Sequence, residues 1–524
     1  VRKKSKWFLA LVVVLCLGAG TLTAWEWYAR QEANLGGRPT PVQKGDSGGS
    51  SRSGSGPGSS TPGDAFAIRG VIEGFYGQPW SMAERIKMLE FMGRNNFNTY
   101  VYAPKNDPYQ RSKWGELYPQ AELQQLKQVV EAAQKNGIWF VYSISPGIPA
   151  PLPGQSLSAK MVADSITYTS AGDVGRLENK IAQLRAIGVH TFMLSFDDVE
   201  HTLKSADQRV YGSDYPRAQV ELADKVLRDE RRHDPSFRLW LAPTDYYGLK
   251  DSPYWRTIRS RLDSSVQVIW TGQWVLNKEI NGSQAAQVGK LLGRKPLIWD
   301  NYPVNDYTYV VKKAPQLFMG PLENRSSGLS RQAAGLLANP MIQAEASKVA
   351  LSTVGQYLIN PAAYSPERAW DAALAARQGV GNAAAFRRFC LYSSRSLLND
   401  SGNPDFLRLV SAYWQDYRAG KRGASETNLK QELEAVSQLP QTLAQTMTNK
   451  ELLTEIEPWL IKLGQEGQAG LLALDYLDLP AKDPAKTGAK KQLEESVQKL
   501  TANNLRIGPE ILEFAQAALH SGPS

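Results

Sequence analysis

The 524-residue chain is poor in the residues that hold metals or crosslinks. It has two cysteines, Cys16 and Cys390, and the first sits in an apolar run, so no disulfide framework is expected. Its four histidines, His190, His201, His233 and His520, show no zinc-site spacing. No metal and no cofactor is expected. The body of the chain also lacks a basic block. The formal charge is +9, but Arg2, Lys3, Lys4 and Lys6 concentrate part of it in one short stretch. The mild excess that remains argues against nucleic acid as a partner.

Behind that basic flank, Trp7–Trp25 is a run of 19 residues without a charge. At about 1.5 Å per residue it nearly spans a bilayer. Residues 1–30 therefore read as a targeting segment with its basic end in the cytoplasm. Cleavage near Gly18–Thr21 or Ala24 would make it a signal peptide. Trp25, Trp27 and Tyr28 at the far interface would make it an uncleaved anchor. Either way the remainder is expected to be extracellular, secreted or held at the cell membrane through this segment alone. Residues 31–64 form a Gly/Ser/Pro linker, including Ser50–Ser60, too poor in apolar residues to build a core.

From Ala65 the pattern changes to apolar runs alternating with helical stretches. Strands are expected at Ile68–Phe75, Thr99–Tyr102, Trp139–Ile144, Thr191–Phe196, Arg238–Ala242, Val266–Trp270, Pro296–Trp299 and Gln316–Met319. Between most of them lie helices such as Met82–Asn95, Val174–Ile187 and Arg217–Arg231, and Ser81 with Glu84 makes a capping box. The alternation predicts an α/β fold, a (β/α)8 TIM-like barrel over 65–360. An open doubly wound sheet is the rival, but Gly74-Phe75-Tyr76-Gly77 is no phosphate loop. After Pro366 the strand signals stop. Ser365-Pro366-Glu367 reads as a helix start. Amphipathic helices at Leu407–Tyr417, Leu429–Met447, Leu452–Leu477 and Gln492–Leu500 predict an all-α domain over 361–524.

In such a barrel the active site lies at the C-terminal strand ends. Here those ends carry carboxylates, amides and aromatics, a mixture suited to a sugar. Asp197-Asp198 past the fourth strand is the sharpest feature. Glycoside hydrolysis needs a proton donor and stabilisation of positive charge. Adjacent carboxylates repel, which can raise the pKa of one. Strand neighbours point to opposite faces, so both acids reach one site only if the backbone turns after Phe196. By itself the pair is as compatible with a helix cap or solvated turn. His201 close by reads as structural or surface.

Gly70–Ser81 resembles the opening signature of glycoside hydrolase family 84, which holds bacterial β-N-acetylglucosaminidases and the animal protein O-GlcNAcase. Asn98–Tyr109, Ser143–Gly147, Thr191–Glu200, Trp299–Asp306 and Asn339-Pro340-Met341 continue the likeness in order. The resemblance implies an exo-acting retaining enzyme on terminal β-linked GlcNAc of glycans or glycoproteins. The substrate's 2-acetamido oxygen would attack, giving an oxazoline. It implies that Asp197 orients the acetamide N–H and Asp198 is general acid, then base. Tyr246 would hydrogen-bond the acetamide carbonyl region, Asn301 would contact the acetamido group or the glycosidic oxygen, and Asp306 the 4- and 6-hydroxyls. Gly74, Lys105 and Asn339 would hold other hydroxyls, with Tyr76, Thr271 and Trp299 lining the pocket. Glu73 reads as structural, and as the reserve candidate were there an enzyme nucleophile. Two alternatives stand beside this reading: an endo-acting hyaluronidase-like enzyme, and a tethered, non-catalytic GlcNAc-binding adhesion protein.

Overall fold

Parallel strands buried on both faces require apolar residues throughout, and the strands here meet that need. A computed structural model describes residues 65–421 and 423–520. The targeting run, the linker and Cys16 lie outside the described residues. Eight parallel strands close into a barrel in chain order: β1 (Ile68–Glu73), β2 (Thr99–Tyr102), β3 (Trp139–Ile144), β4 (Thr191–Ser195), β5 (Arg238–Ala242), β6 (Gln267–Trp270), β7 (Leu297–Asp300) and β8 (Gly335–Ala338). β8 closes the ring on β1, pairing Leu337 with Gly70. Alternation divides the strand residues between two cores. Ile72, Val101, Val141, Met193, Ile269 and Leu337 fill the barrel. Val71, Tyr100, Phe192 and Leu194 face the surrounding helices. The capping box of Ser81 and Glu84 opens the helix Met82–Arg94.

The eighth strand is not Gln316–Met319. That segment links the barrel to the helical domain: Gln316 bridges Arg506, and Met319 N donates to Ser393 O at 2.9 Å. Strand β8 is instead Gly-Leu-Leu-Ala, without the β-branched or aromatic residues that mark a strand. Gly335 is needed there because a Cβ would lie 2.3 Å from Ile68 Cβ.

After the last barrel helix, Ala344–Ile359, the rest of the described chain is helical. Helix Pro366–Ala375 begins at Ser365 with proline in its first turn, though the Ser365 side chain makes no capping bond. Leu429–Met447 is two helices, Ala424–Ser437 and Leu439–Thr446. Pro440 supplies no N–H to continue the first and its ring crowds the preceding turn. The long helix Lys450–Asp478 presents Gly464, Gly467 and Gly470 to these two. A Cβ on Gly467 would lie 2.7 Å from Ser437 N, and one on Gly470 2.4 Å from Leu433 Cδ2. The glycine stripe thus sets a close helix contact.

The long helix also caps the barrel. Helix Ala344–Ile359 has no side-chain N-cap of its own. Glu455 accepts from the N–H groups of Glu345 at 3.0 Å and Ala346 at 2.8 Å. Burial pushes its pKa up to about 7. A carboxyl raised in the folded state stabilises most below its ordinary pKa, and that share is lost as pH rises through about 7. Glu455→Ala should lower stability by about 1–2 kcal/mol, read as a lower urea midpoint. Glu455→Gln should flatten the decline between acid and neutral pH. An unaltered decline in Glu455→Gln would assign it to other groups.

Candidate active site

The inward alternation does not stop where the hydrogen-bond ladder ends. From β1 the inward positions run Ile72, Gly74, Tyr76. From β2 they run Val101, Ala103, Lys105, and from β4 Met193, Ser195, Asp197. From β6, β7 and β8 they reach Thr271, Asn301 and Asn339. All of the residues expected from the sequence line one pocket: Gly74, Tyr76, Lys105, Asp197, Asp198, Tyr246, Thr271, Trp299, Asn301, Asp306 and Asn339. Val275 and Val304 complete its wall. Val275 stands between Trp274 and Leu276 and Val304 inside the Trp299–Asp306 stretch, and neither was singled out because an apolar loop side chain carries no chemistry of its own.

The required turn exists. Strict alternation would send Asp198 outward, but its φ is 51°, in the left-handed region, and this carries its side chain back to the pocket. Two donors fix the turn: Arg111 Nη2 and Ala150 N reach the Asp198 carbonyl at 2.8 and 2.9 Å. Arg111 also donates to the Tyr76 hydroxyl at 2.8 Å. It was missed from the sequence because it lies in an unremarkable polar turn, and only the folded loop brings it there.

The two carboxylates share Lys105. Its Nζ bonds Asp197 Oδ2 and lies 3.6 Å from Asp198 Oδ2. Tyr76 donates to Asp198 Oδ2 at 2.9 Å and Tyr246 to Oδ1 at 3.0 Å. Burial favours the neutral form of Asp198. Lys105, Arg111 and the two tyrosine hydroxyls outweigh it and hold the carboxyl below its ordinary pKa. The raised pKa that repulsion alone predicts is therefore absent at Asp198, because the pair does not face only itself. Asp306 shows the opposite balance. Burial lifts it to about 6 against the backbone donors of Tyr76 and Tyr307.

A second network ties the remaining strand ends. Gly74 N donates to Asn339 Oδ1 at 3.2 Å, Asn339 Nδ2 to Asn301 Oδ1 at 2.9 Å, and Asn301 Nδ2 to the Val275 carbonyl at 2.8 Å. Each carboxamide keeps one N–H and one lone pair for a ligand. Thr271 spends its hydroxyl proton on the Trp274 carbonyl at 3.0 Å. Trp299 packs over Gly74, where a Cβ would come within 2.3 Å of the indole. Asp197 Oδ1 and Trp299 Nε1 are buried without a partner in the protein, so both point to a ligand's polar groups.

Glu73 and His201 stand outside. Glu73 is fully buried facing the helices, bonded by Arg85 at 2.8 Å from both Nε and Nη2, by Trp80 N and by the Tyr100 hydroxyl. It has no route to the pocket. His201 is exposed and stacks on Tyr215.

The family described as beta-N-acetylglucosaminidase matches residues 69–391. A domain described as hyaluronidase post-catalytic domain-like matches 406–514. Protein O-GlcNAcase of Rattus norvegicus is 34% identical over 325 residues, 61% of this chain and 32% of that protein. The Mus musculus protein of the same name is 35% identical over 294 residues, 55% and 29%. The chain thus aligns with about a third of the length of these curated relatives. A solved O-GlcNAc hydrolase variant of Thermobaculum terrenum superposes with a TM-score of 0.78 at 30% identity, covering 87% of this chain and 95% of the other.

The shared cation makes one outcome specific. Asp198, held low in the folded state, adds stability above its ordinary pKa and loses it as pH falls through its folded pKa. Lys105→Met should therefore lower stability near neutrality by about 3 kcal/mol. The deficit should shrink in acid, as protonation relieves the pair. Urea midpoints at neutral and acid pH measure it, and a deficit independent of pH would show that Lys105 acts by packing alone.

Proposed function

The chain belongs to the β-N-acetylglucosaminidase family, glycoside hydrolase family 84, and from that premise we propose that it releases terminal β-linked GlcNAc from glycoconjugates. The observation that carries the reading is a pair of adjacent carboxylates on one pocket wall, one with an oxygen buried and unpartnered. Asp197 Oδ1 suits an acetamide N–H. Accepting it increases the electron density on the acetamide oxygen, which attacks the anomeric carbon and closes an oxazoline. Asp198 gives its proton to the departing oxygen and then takes one from water. Tyr246, bonded to Asp198, orients the acid beside the acetamide. Glu73, the reserve nucleophile, is spent on Arg85, which supports substrate assistance. Asp306 lines the pocket and would hold the outer hydroxyls. Binding of the 4- and 6-hydroxyls there would leave no room for a further sugar, which supports exo action over the endo-acting hyaluronidase-like alternative. The complete polar set supports catalysis over adhesion.

The basic flank and apolar run before Trp25 support placement of the catalytic domain outside the cell, secreted or anchored. Protease added to intact cells should then digest it, and a protected domain would refute export.

An aryl β-GlcNAc should be hydrolysed faster than the matching β-glucoside by about a thousandfold or more, because the glucoside lacks the internal nucleophile. Asp198→Asn should lower kcat/KM on substrates with poor leaving groups by about 10²–10⁴-fold and spare kcat/KM on activated ones, while loss of the base lowers kcat on both. Comparable rates on both sugars would end the substrate-assisted reading.

A further inference from the structure

Beside the catalytic pocket lies a wider cavity, about 310 Å³ against about 40 Å³. Asn106, Arg111 and Ser112, after β2, form one wall, and Pro149, Leu152 and Gln155, after β3, form another. The two cavities share only Tyr76 and Lys105 among their lining residues. These same two side chains converge on Asp198 Oδ2, the hydroxyl at 2.9 Å and the ammonium at 3.6 Å. That oxygen therefore sits at the seam between the cavities. A bond protonated there would have one sugar in the catalytic pocket and its leaving group directed into the wider space.

The chemistry of the wall narrows what fits. Its charges are already engaged. Lys105 holds the carboxylate pair, and Arg111 holds Tyr76 and the Asp198 carbonyl. Asp107 accepts from the Tyr102 and Tyr118 hydroxyls, and Asp164 pairs with Lys160. Asn106 Oδ1 accepts from Gly77 N at 3.3 Å, which leaves its Nδ2, the Gln155 carboxamide and the Ser112 hydroxyl to meet a ligand, over apolar surface from Pro149 and Leu152. Amides and hydroxyls beside apolar surface match the edges and faces of an uncharged sugar. The volume falls at the low end of the range for ligand sites, about 300–1,000 Å³. We propose that this cavity is a leaving-group subsite for a neutral sugar residue, so that the preferred bond joins GlcNAc to another sugar. The proposal rests on the hydrolase reading above.

Ser112 and Gln155 are exposed and neither lines the catalytic pocket. Tryptophan at either position would fill the cavity and leave the carboxylates untouched. Two substrates separate the subsite from the chemistry. The β-fluoride of GlcNAc has a one-atom leaving group, and N,N′-diacetylchitobiose has a sugar. In Ser112→Trp and Gln155→Trp, kcat/KM on the disaccharide should fall about tenfold or more, and on the fluoride by less than about twofold. Equal losses on both substrates, or undiminished disaccharide cleavage in both variants, would overturn the subsite. A GlcNAc-serine peptide slowed as much as the disaccharide would overturn its assignment to a sugar. A wild-type protein inert to the fluoride would strike the hydrolase reading itself, separately from the subsite.

Discussion

Asp198 adopts a φ of 51°, and without that turn the second carboxylate would face the outer helices. A left-handed residue other than glycine costs about 1–2 kcal/mol. Aspartate tolerates the conformation better than most side chains. The surroundings also fix it from several directions. Arg111 and Ala150 donate to its carbonyl, and Tyr76 and Tyr246 to its carboxylate. The next residue, Val199, pairs with Pro149 across the loops after β3 and β4. The strain is local, while the contacts that offset it come from the loops after β1, β2, β3 and β5. The catalytic geometry thus depends on barrel closure, not on the Asp-Asp sequence alone.

Bringing Asp197, Asp198 and Asp306 into one pocket concentrates negative charge. Two unit charges about 4 Å apart repel by about 4 kcal/mol at an effective dielectric of 20. Lys105 offsets this by standing between the adjacent pair, and Arg111 stands behind Asp198. Lys105 also lies 5.4 Å from the Trp299 ring centroid, a cation–π distance that helps hold the ammonium inside the pocket. Trp299 in turn occupies the space that Gly74 leaves open. Gly74 follows Glu73, which Arg85 clamps toward the helices. One strand end thereby sets the floor of the pocket and the outer packing in consecutive residues.

The same alternation explains what the sequence made legible. Seven of the eight strands stand where their apolar runs predict, and the inward positions two and four residues on carry the site. Asp197, Lys105 and Thr271 could thus be placed by counting from the strand, whereas Asn339 follows the strand that the pattern misplaced and was reached only through the family likeness. Asp198 could not, because its backbone reversal depends on donors from loops distant in sequence. Arg111 was invisible for the same reason. Strand β8 failed on composition: Gly-Leu-Leu-Ala favours no strand by itself and is one because β1 and β7 flank it. In the helical domain the break before Pro440 was written in the sequence, yet the apolar pattern ran across it. The glycines at 464, 467 and 470 gain their meaning only once the partner helix lies against them.

Asp198 sets a last constraint on the proposed chemistry. A general acid must carry a proton, yet the groups around Asp198 hold its carboxyl ionised. These groups have other possible uses when sugar is present. A hydroxyl that accepts from Lys105 draws the ammonium away from Asp198 Oδ2, and a ring that fills the pocket displaces water. Both changes weaken the anion, and burial, already the largest influence on this group, then dominates. Arg111 reaches the backbone carbonyl and not the carboxylate, so the turn is preserved as the proton arrives. Arg111 therefore serves both ends, holding the acid in place through its carbonyl and favouring the anion through its charge. Arg111 and Ala150 fix the backbone, while Lys105 and the tyrosines form the part of the environment that a bound sugar can change.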